Sequence, residues 1–413
     1  MQPAQLDLFR AVAAAYTDAP GGQLSNQDLY ARVSRDVGLD AADLERREPI
    51  GRTGQKHSKL KRAIRWQQQT LKQMGVVRRA GERGVWEIAE PLPSGLHAAP
   101  GASLLAFSTR LGMAIWGDCR GTFAGLDEPI SLVVTSPPYP IAKARAYGGP
   151  GEAEYVDFIC ASLEPLVRCL VPGGSVCLNV SNDCFVRGLP ARSLYQERLT
   201  LALAERLGLF KMDTLIWHNP SKPPGPVRFS SMTRQQLNVA WEPVLWLCND
   251  PAACRADNRR VLEPHTQRHR NLVAAGGERR EAVYGDGAYR LKPGSYSNVT
   301  PGRIPRNVLT RGHRCADTQR YRADATKLGL PVHGAMQPLS IPDFLIRFLS
   351  VEGDLVVDPF GGTAKTAMAA ERLERRWIVV ERVLDYLRGG AERFRGFEGF
   401  GFGPGMQTLP VAA

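Results

Sequence analysis

No apolar run in these 413 residues is long enough to cross a bilayer, and no basic-then-apolar leader opens the chain. Neither a membrane anchor nor an export signal is expected. The eight cysteines are scattered, with no Cys-x-x-Cys pair and no metal-ligand spacing. That excludes a disulfide scaffold or a zinc ribbon and suits reduced thiols in a cytoplasmic protein. His218, His265, His313 and His333 form no metal-binding pattern either, and no internal repeat is evident. Acid is the scarcer charge: 41 Asp and Glu against 53 Lys and Arg leave a net charge of +12. A pI near 9.5 suits a polyanionic partner. The length allows about two or three domains.

The most informative stretch is Ser131-Leu-Val-Val-Thr-Ser-Pro-Pro-Tyr-Pro140. Leu132, Val133 and Val134 predict a buried strand, which ends at a serine, a rigid double proline and an aromatic. Strand ends in α/β folds are where ligands sit. Two prolines fix the backbone and offer carbonyls without N–H groups. Ser136, Pro137, Pro138 and Tyr139 thus make a seat for a flat ring with an exocyclic amine. A bare Ser-Pro-Pro turn is the plain alternative.

A second strand and turn follows more than two hundred residues later, in Asp354-Leu-Val-Val-Asp-Pro-Phe-Gly-Gly-Thr363. A helical stretch, Ala364 to Arg372, comes next. A strand, a glycine turn and a helix start bring bare backbone close to a ligand. The strand after it, Trp377-Ile-Val-Val-Glu381, ends in an acid. A carboxylate about twenty residues past the glycine turn can hold a ribose diol. Ala364-Lys365-Thr366 only superficially matches a phosphate-binding loop, because Pro359 stands in place of its first glycine. A nucleoside cofactor without a phosphate tail fits better than ATP.

Together these segments resemble the β-class of S-adenosylmethionine-dependent DNA amino-methyltransferases. In that family a (Ser/Asp/Asn)-Pro-Pro-(Tyr/Phe) motif precedes an Asp-Pro-Phe-x-Gly-Ser-Gly motif. Here Thr135 to Tyr139 match the first, and Asp358, Pro359, Phe360, Gly361, Gly362 and Thr363 match the second. Ala364 departs from a family glycine and Lys365 from a usual threonine. The resemblance makes Asp118, in Trp116-Gly-Asp-Cys119, a candidate for the cofactor adenine. It places His333, in His333-Gly-Ala-Met-Gln-Pro338, at the methionine end, and pairs Glu381 with Tyr386. Ile216 to Pro220 and Trp241 to Trp246 resemble the strand pair after the catalytic motif. Related enzymes acting on ribosomal RNA or protein glutamine generally carry the cofactor motif first, so the order here points to duplex DNA. Serine before the prolines is usual among cytosine-N4 enzymes, and aspartate is common among adenine-N6 enzymes. The resemblance therefore implies N4-methylcytosine by base flipping, with N6-methyladenine as the alternative. A homodimer and a cognate restriction endonuclease enter as candidate partners. The altered loop at Ala364 and Lys365 is the one feature favouring a catalytically weak DNA-binding regulator.

The expected fold is α/β, a Rossmann-like, mostly parallel methyltransferase sheet behind a small N-terminal winged-helix domain. The division is 1–90 for that small domain, 91–104 for a linker and 105–249 for the catalytic half. Residues 250–330 would form a target-recognition insert, 331–395 the cofactor half and 396–413 a tail. In the first part, Leu6–Tyr16 and Asn26–Val37 show helical spacing, with Ser25 and Asn26 as caps. A basic helix over Lys56–Met74 and a hairpin over Gly75–Ile88 complete it. This arrangement is similar to the N-terminal domain of Mrr-type restriction proteins. Lys56, Lys59, Lys61, Arg62 and Arg65 would then face phosphates; an oligomerisation or packing module is the alternative. In the arginine-rich insert, Arg303, Arg306 and Arg311 are candidates for DNA contact. A solvated loop is the competing reading. The Asn219–Pro226 segment either borders a base pocket or simply connects strands.

Overall fold

The computed structural model describes the chain apart from residues 1–7, 9–10, 13, 17, 51–54, 74, 90–95, 99–100, 142–147, 405 and 408–413. The N-terminal part contains β1 (Gln23–Ser25), α1 (Asn26–Asp36), α2 (Lys59–Gln73), β2 (Val77–Arg79) and β3 (Val85–Ile88). The three strands pair in the order β1-β3-β2. The Ser25 hydroxyl caps α1 by accepting from the Asp28 N–H at 3.1 Å. Leu29 and Val33 of α1 and Ile64 and Leu71 of α2 recur at helical spacing and are buried with Trp86.

The basic helix starts later than Lys56. Lys56 lies in a short strand, Gln55–His57, paired with Glu48–Ile50. Ser58 then caps the helix, its hydroxyl accepting from Lys61 N–H at 3.2 Å. A helix-forming lysine loses here to the cap and to strand pairing. Of the first expected helix, Leu8, Ala11, Val12 and Ala14–Tyr16 are helical. Leu6, Met74 and half of the expected linker lie outside the described residues.

The large sheet comprises β4 (Ser103–Ser108), β5 (Gly112–Gly117), β6 (Ile130–Thr135), β7 (Leu170–Asn179), β8 (Phe210–His218), β9 (Trp241–Cys248), β10 (Val308–Thr310), β11 (Leu355–Asp358), β12 (Arg376–Glu381) and β13 (Gly401–Phe402). Their order is β10-β8-β9-β7-β6-β11-β12-β5-β4-β13. The central strands β7, β6, β11, β12 and β5 are parallel. The sheet is mostly parallel, as expected, with β10 also parallel to β8, and it is mixed only at its flanks, where β8, β9, β4 and β13 make antiparallel pairs. The turn at 109–111 between β4 and β5 is too short for a crossover and forces one such pair.

Helices cover both faces of the centre, which explains the continuous apolar runs of its strands. Val133 and Val357 pack with α3 (Glu152–Arg168) and α4 (Tyr195–Leu207). Leu132, Val134 and Val356 pack oppositely with α6 (Ser340–Leu349), α7 (Lys365–Arg372) and α8 (Leu384–Ala391). Between these groups in sequence lies α5 (Ala316–Lys327), whose Tyr321 sits against Gly389 of α8. From β6 the chain moves outward to β7, and from β11 it moves the other way to β12. The switch in direction therefore falls between the two motif-bearing strands, where an open α/β sheet leaves a crevice.

Candidate active site

Adjacent strands β6 and β11 end together, with Val133 paired to Val357. A clasp closes the ends. Asp358 accepts from the Thr135 hydroxyl at 2.6 Å, the Thr366 hydroxyl at 2.7 Å and the Phe360 N–H at 3.0 Å. Burial pushes its carboxyl up to about 6 despite those three donors. One residue past the clasp, the Ser136 hydroxyl lies 2.9 Å from the Tyr139 hydroxyl. Tyr139 in turn reaches the Asn179 side-chain carbonyl at 3.2 Å and the Glu242 carboxylate at 3.4 Å. Burial, reinforced by the Glu242 charge, raises the phenol well above its ordinary value. It stays protonated.

On the cofactor side, Gly361 lets the loop lie directly on β12: a Cβ there would meet Val379 Cβ at 2.9 Å. Gly362 follows with φ of 51°, a left-handed conformation that favours glycine. Its N–H donates to Glu381 Oε2, and the Val383 N–H to Oε1, each at 2.8 Å. Burial and the nearby Asp358 charge still push Glu381 up to about 7. Asp118, at the end of β5, caps the short helix Cys119–Phe123 by accepting from the Arg120 N–H at 3.2 Å. The His333 ring meets the Tyr386 ring edge-on at 4.5 Å. A glycine cradle and three acidic side chains, Asp118, Asp358 and the strand-end Glu381, form a donor set that fits a cationic nucleoside.

The two departures from the family loop are accommodated. Ala364 takes the left-handed conformation of the missing glycine, with φ of 60°. Such strain costs an alanine about 1–2 kcal/mol. Lys365 turns into the protein, its Nζ 3.2 Å from Asp317 and 2.5 Å from the Thr318 hydroxyl. Arg393 also pairs with Asp317 and donates to the Thr363 carbonyl. Burial lowers the Lys365 ammonium and opposes the Asp317 carboxylate, but the two cations hold Asp317 below its ordinary value. The cluster ties α5 to the glycine loop.

A cleft of about 930 Å³ brings together Ser136, Pro137, Pro138 and Tyr139 with Asp118, His333, Asp358 to Thr363 and Glu381. The loop at Asn219–Pro226 also borders it, through Asn219, Lys222 and Pro223. Sequence reading missed Asn179 and Glu242, and it named Lys222 only as part of the Asn219–Pro226 loop. Glu242 was signalled only by standing beside Trp241 in the strand pair, and Asn179 by nothing local. The proposed DNA-contacting cations lie elsewhere, and several have carboxylate partners. Lys59 is 2.6 Å from Glu48, Lys61 pairs with Glu45, and Arg303 is 2.6 Å from Glu263. Arg62 and Arg306 are exposed, and Arg65 is half-buried. Arg311 donates to the Thr310 carbonyl at 3.0 Å, at the edge of the large sheet. Among the described residues no group of side chains could hold a metal ion, and no helix is long and apolar enough to cross a membrane.

Comparison with known proteins agrees with this geometry. The N6/N4 DNA methylase family model matches residues 130–392. The Type II methyltransferase M.PvuII of Proteus hauseri is 31% identical over 296 residues, which are 70% of this chain and 85% of that protein. M.BglII of Bacillus subtilis is 24% identical over 263 residues, covering 63% of this chain and 62% of that one. The solved structure of PvuII DNA methyltransferase (cytosine-N4-specific) superposes with a TM-score of 0.55 at 28% identity. It covers 73% of this chain and 90% of its own. The chain belongs to the N6/N4 DNA methylases: it is a DNA amino-methyltransferase whose methyl donor is S-adenosylmethionine.

Proposed function

We propose that this enzyme methylates the N4 amine of cytosine within a specific sequence of duplex DNA. The observation that carries the reading is the single cleft in which Ser136 and Tyr139 face the glycine cradle and Glu381. A cytosine amine is a poor nucleophile because its lone pair is delocalised into the ring. Ser136 Oγ and the Pro137 carbonyl accept its two hydrogens, which frees the lone pair, and the Tyr139 ring stacks on the base. Gly361, Gly362, Glu381, Asp118 and His333 hold S-adenosylmethionine, which supplies an electrophilic methyl group when bound. The rate comes mainly from holding the amine in line and from excluding water. No strong base is required, because the alkylated amine is acidic and loses its proton readily.

A base inside a duplex cannot reach Ser136, so the target turns out of the stack at a cost of about a few kcal/mol. Cytosine is favoured over adenine by the serine at 136 and by likeness to a relative described as cytosine-N4-specific. The N-terminal helices and hairpin, read as a winged helix, and the arginine-rich segment before α5 supply phosphate contacts. A second copy of the chain and a cognate restriction endonuclease are the proposed protein partners.

The test is mass spectrometry of nucleosides from unmethylated genomic DNA incubated with enzyme and S-adenosylmethionine. N4-methylcytosine is expected. N6-methyladenine would overturn the choice of base, and no methylated base would favour a DNA-binding regulator.

A further inference from the structure

The geometry points to Glu242 as a positioning residue that, through the Tyr139 hydroxyl, makes Ser136 an acceptor-only group facing the substrate amine. The inference rests on the amine-methylation reading above. It concerns a problem that reading leaves open: a serine hydroxyl can donate as well as accept, and a donated hydrogen would oppose an amine.

The proton count around Tyr139 resolves the ambiguity. Its single hydroxyl hydrogen faces three oxygens: Ser136 Oγ at 2.9 Å, Asn179 Oδ1 at 3.2 Å and Glu242 Oε2 at 3.4 Å. The Asn179 amide is oriented by its Nδ2, which donates to the Pro243 carbonyl at 3.3 Å, so Oδ1 is the atom turned to the phenol. Glu242 Oε1 is paired with Lys222, whose Nζ lies 2.8 Å away. Both of these neighbours can only accept. The phenolic hydrogen goes to them, with the negative charge of Glu242 the stronger attraction. Tyr139 Oη then has lone pairs to spare, and the Ser136 hydrogen is the donor within reach. This direction makes two hydrogen bonds in the cluster, whereas the reverse makes one and leaves both acceptors without the phenol.

Ser136 Oγ thereby turns only lone pairs toward the cleft. A neutral serine is given the directionality of the aspartate found in other family members, without its charge. The family accepts phenylalanine as well as tyrosine after the prolines, so stacking on a base does not require the hydroxyl. In this chain the hydroxyl has a separate task.

A double-mutant cycle tests the relay. Tyr139→Phe keeps the aromatic face and removes the link. In Glu242→Gln, Lys222 holds the amide oxygen, so the amide NH2 faces Tyr139 Oη and competes with Ser136 for its lone pair. Each change should lower the single-turnover methylation rate about tenfold to a hundredfold, the effect of a hydrogen bond to a charged group. The dissociation constant for S-adenosylmethionine should not move. Because both residues act through one chain, the double variant should be no slower than the slower single variant. Glu242→Asp, which keeps a charge for Lys222 but withdraws it from Tyr139, completes the cycle if Glu242→Gln does not fold. Full-rate Tyr139→Phe, or rate losses that multiply in the double variant, would overturn the relay. A wild-type enzyme that leaves no methylated amine on DNA would instead overturn the proposed function, so the two failures are distinct.

Discussion

The Thr135 hydroxyl donates to the Asp358 carboxyl at 2.6 Å, joining residues 223 positions apart at the point where the sheet changes direction. Strands β6 and β11 are registered through this contact. Asp358 also holds Thr366 in the first turn of α7 and the Phe360 N–H, so strand end, loop and helix share one buried carboxyl.

That carboxyl sets a pH dependence of folding. Its value of about 6 in the fold exceeds the ordinary 3.8. The associated stability is fully present below the ordinary value and is lost as pH rises through the folded value. A shift of about two pH units corresponds to about 3 kcal/mol. Asp358→Asn removes the titration. The stability of cofactor-free wild type relative to that variant should therefore fall by about this amount between roughly pH 4 and pH 7. Urea unfolding midpoints across that range measure it, and parallel curves for the two proteins would contradict it.

Glu381 should make cofactor binding depend on pH in the opposite direction. Burial first, and then Asp358, raise its value to about 7, and the ionised form is the better acceptor for a ribose diol. Binding should release a proton and weaken as pH falls through about 7, approaching tenfold per pH unit for one proton. Calorimetry in buffers of different ionisation heat detects the proton, and Glu381→Gln should abolish its release.

The Asp317–Lys365–Arg393 cluster predicts unequal mutational costs. Asp317→Ala strands two buried cations and should destabilise the protein by about 3–5 kcal/mol. Lys365→Met leaves the Asp317–Arg393 pair intact and should cost distinctly less. Chemical denaturation of both variants decides the order, and equal losses would count against the clustered-charge account.

Ser136→Ala should lose most turnover while keeping S-adenosylmethionine affinity, because the proposed function has Ser136 meet the base and not the cofactor. Single-turnover rates and cofactor titration of the same preparation separate the two. A full rate in this variant would remove Ser136 from the chemistry.

Arg62 and Arg65 of α2 test the N-terminal contribution to DNA binding. If each neutralises one phosphate, the double alanine variant should reduce the slope of log K against log salt by about 1.8. Fluorescence anisotropy over a range of salt reads this slope, and an unchanged value would assign the helix to packing or oligomerisation.

What the sequence by itself determined was local chemistry. Strands β6 and β11 were legible because apolar runs end at residues that stop a strand: the double proline in one, the glycine pair in the other. Their order along the chain carried the family, and the Ser25 cap and the hairpin before residue 90 were equally local. The tertiary structure decided everything that depends on a neighbouring strand. Asn179 and Glu242 meet Tyr139 because β7 and β9 pair beside the catalytic strand, and no spacing in sequence encodes that. The antiparallel flanks, the strand holding Lys56 and the partners of Lys365 were hidden for the same reason. A side chain's residue type is written in the sequence, but its hydrogen-bond partner is set by which segments the core brings together.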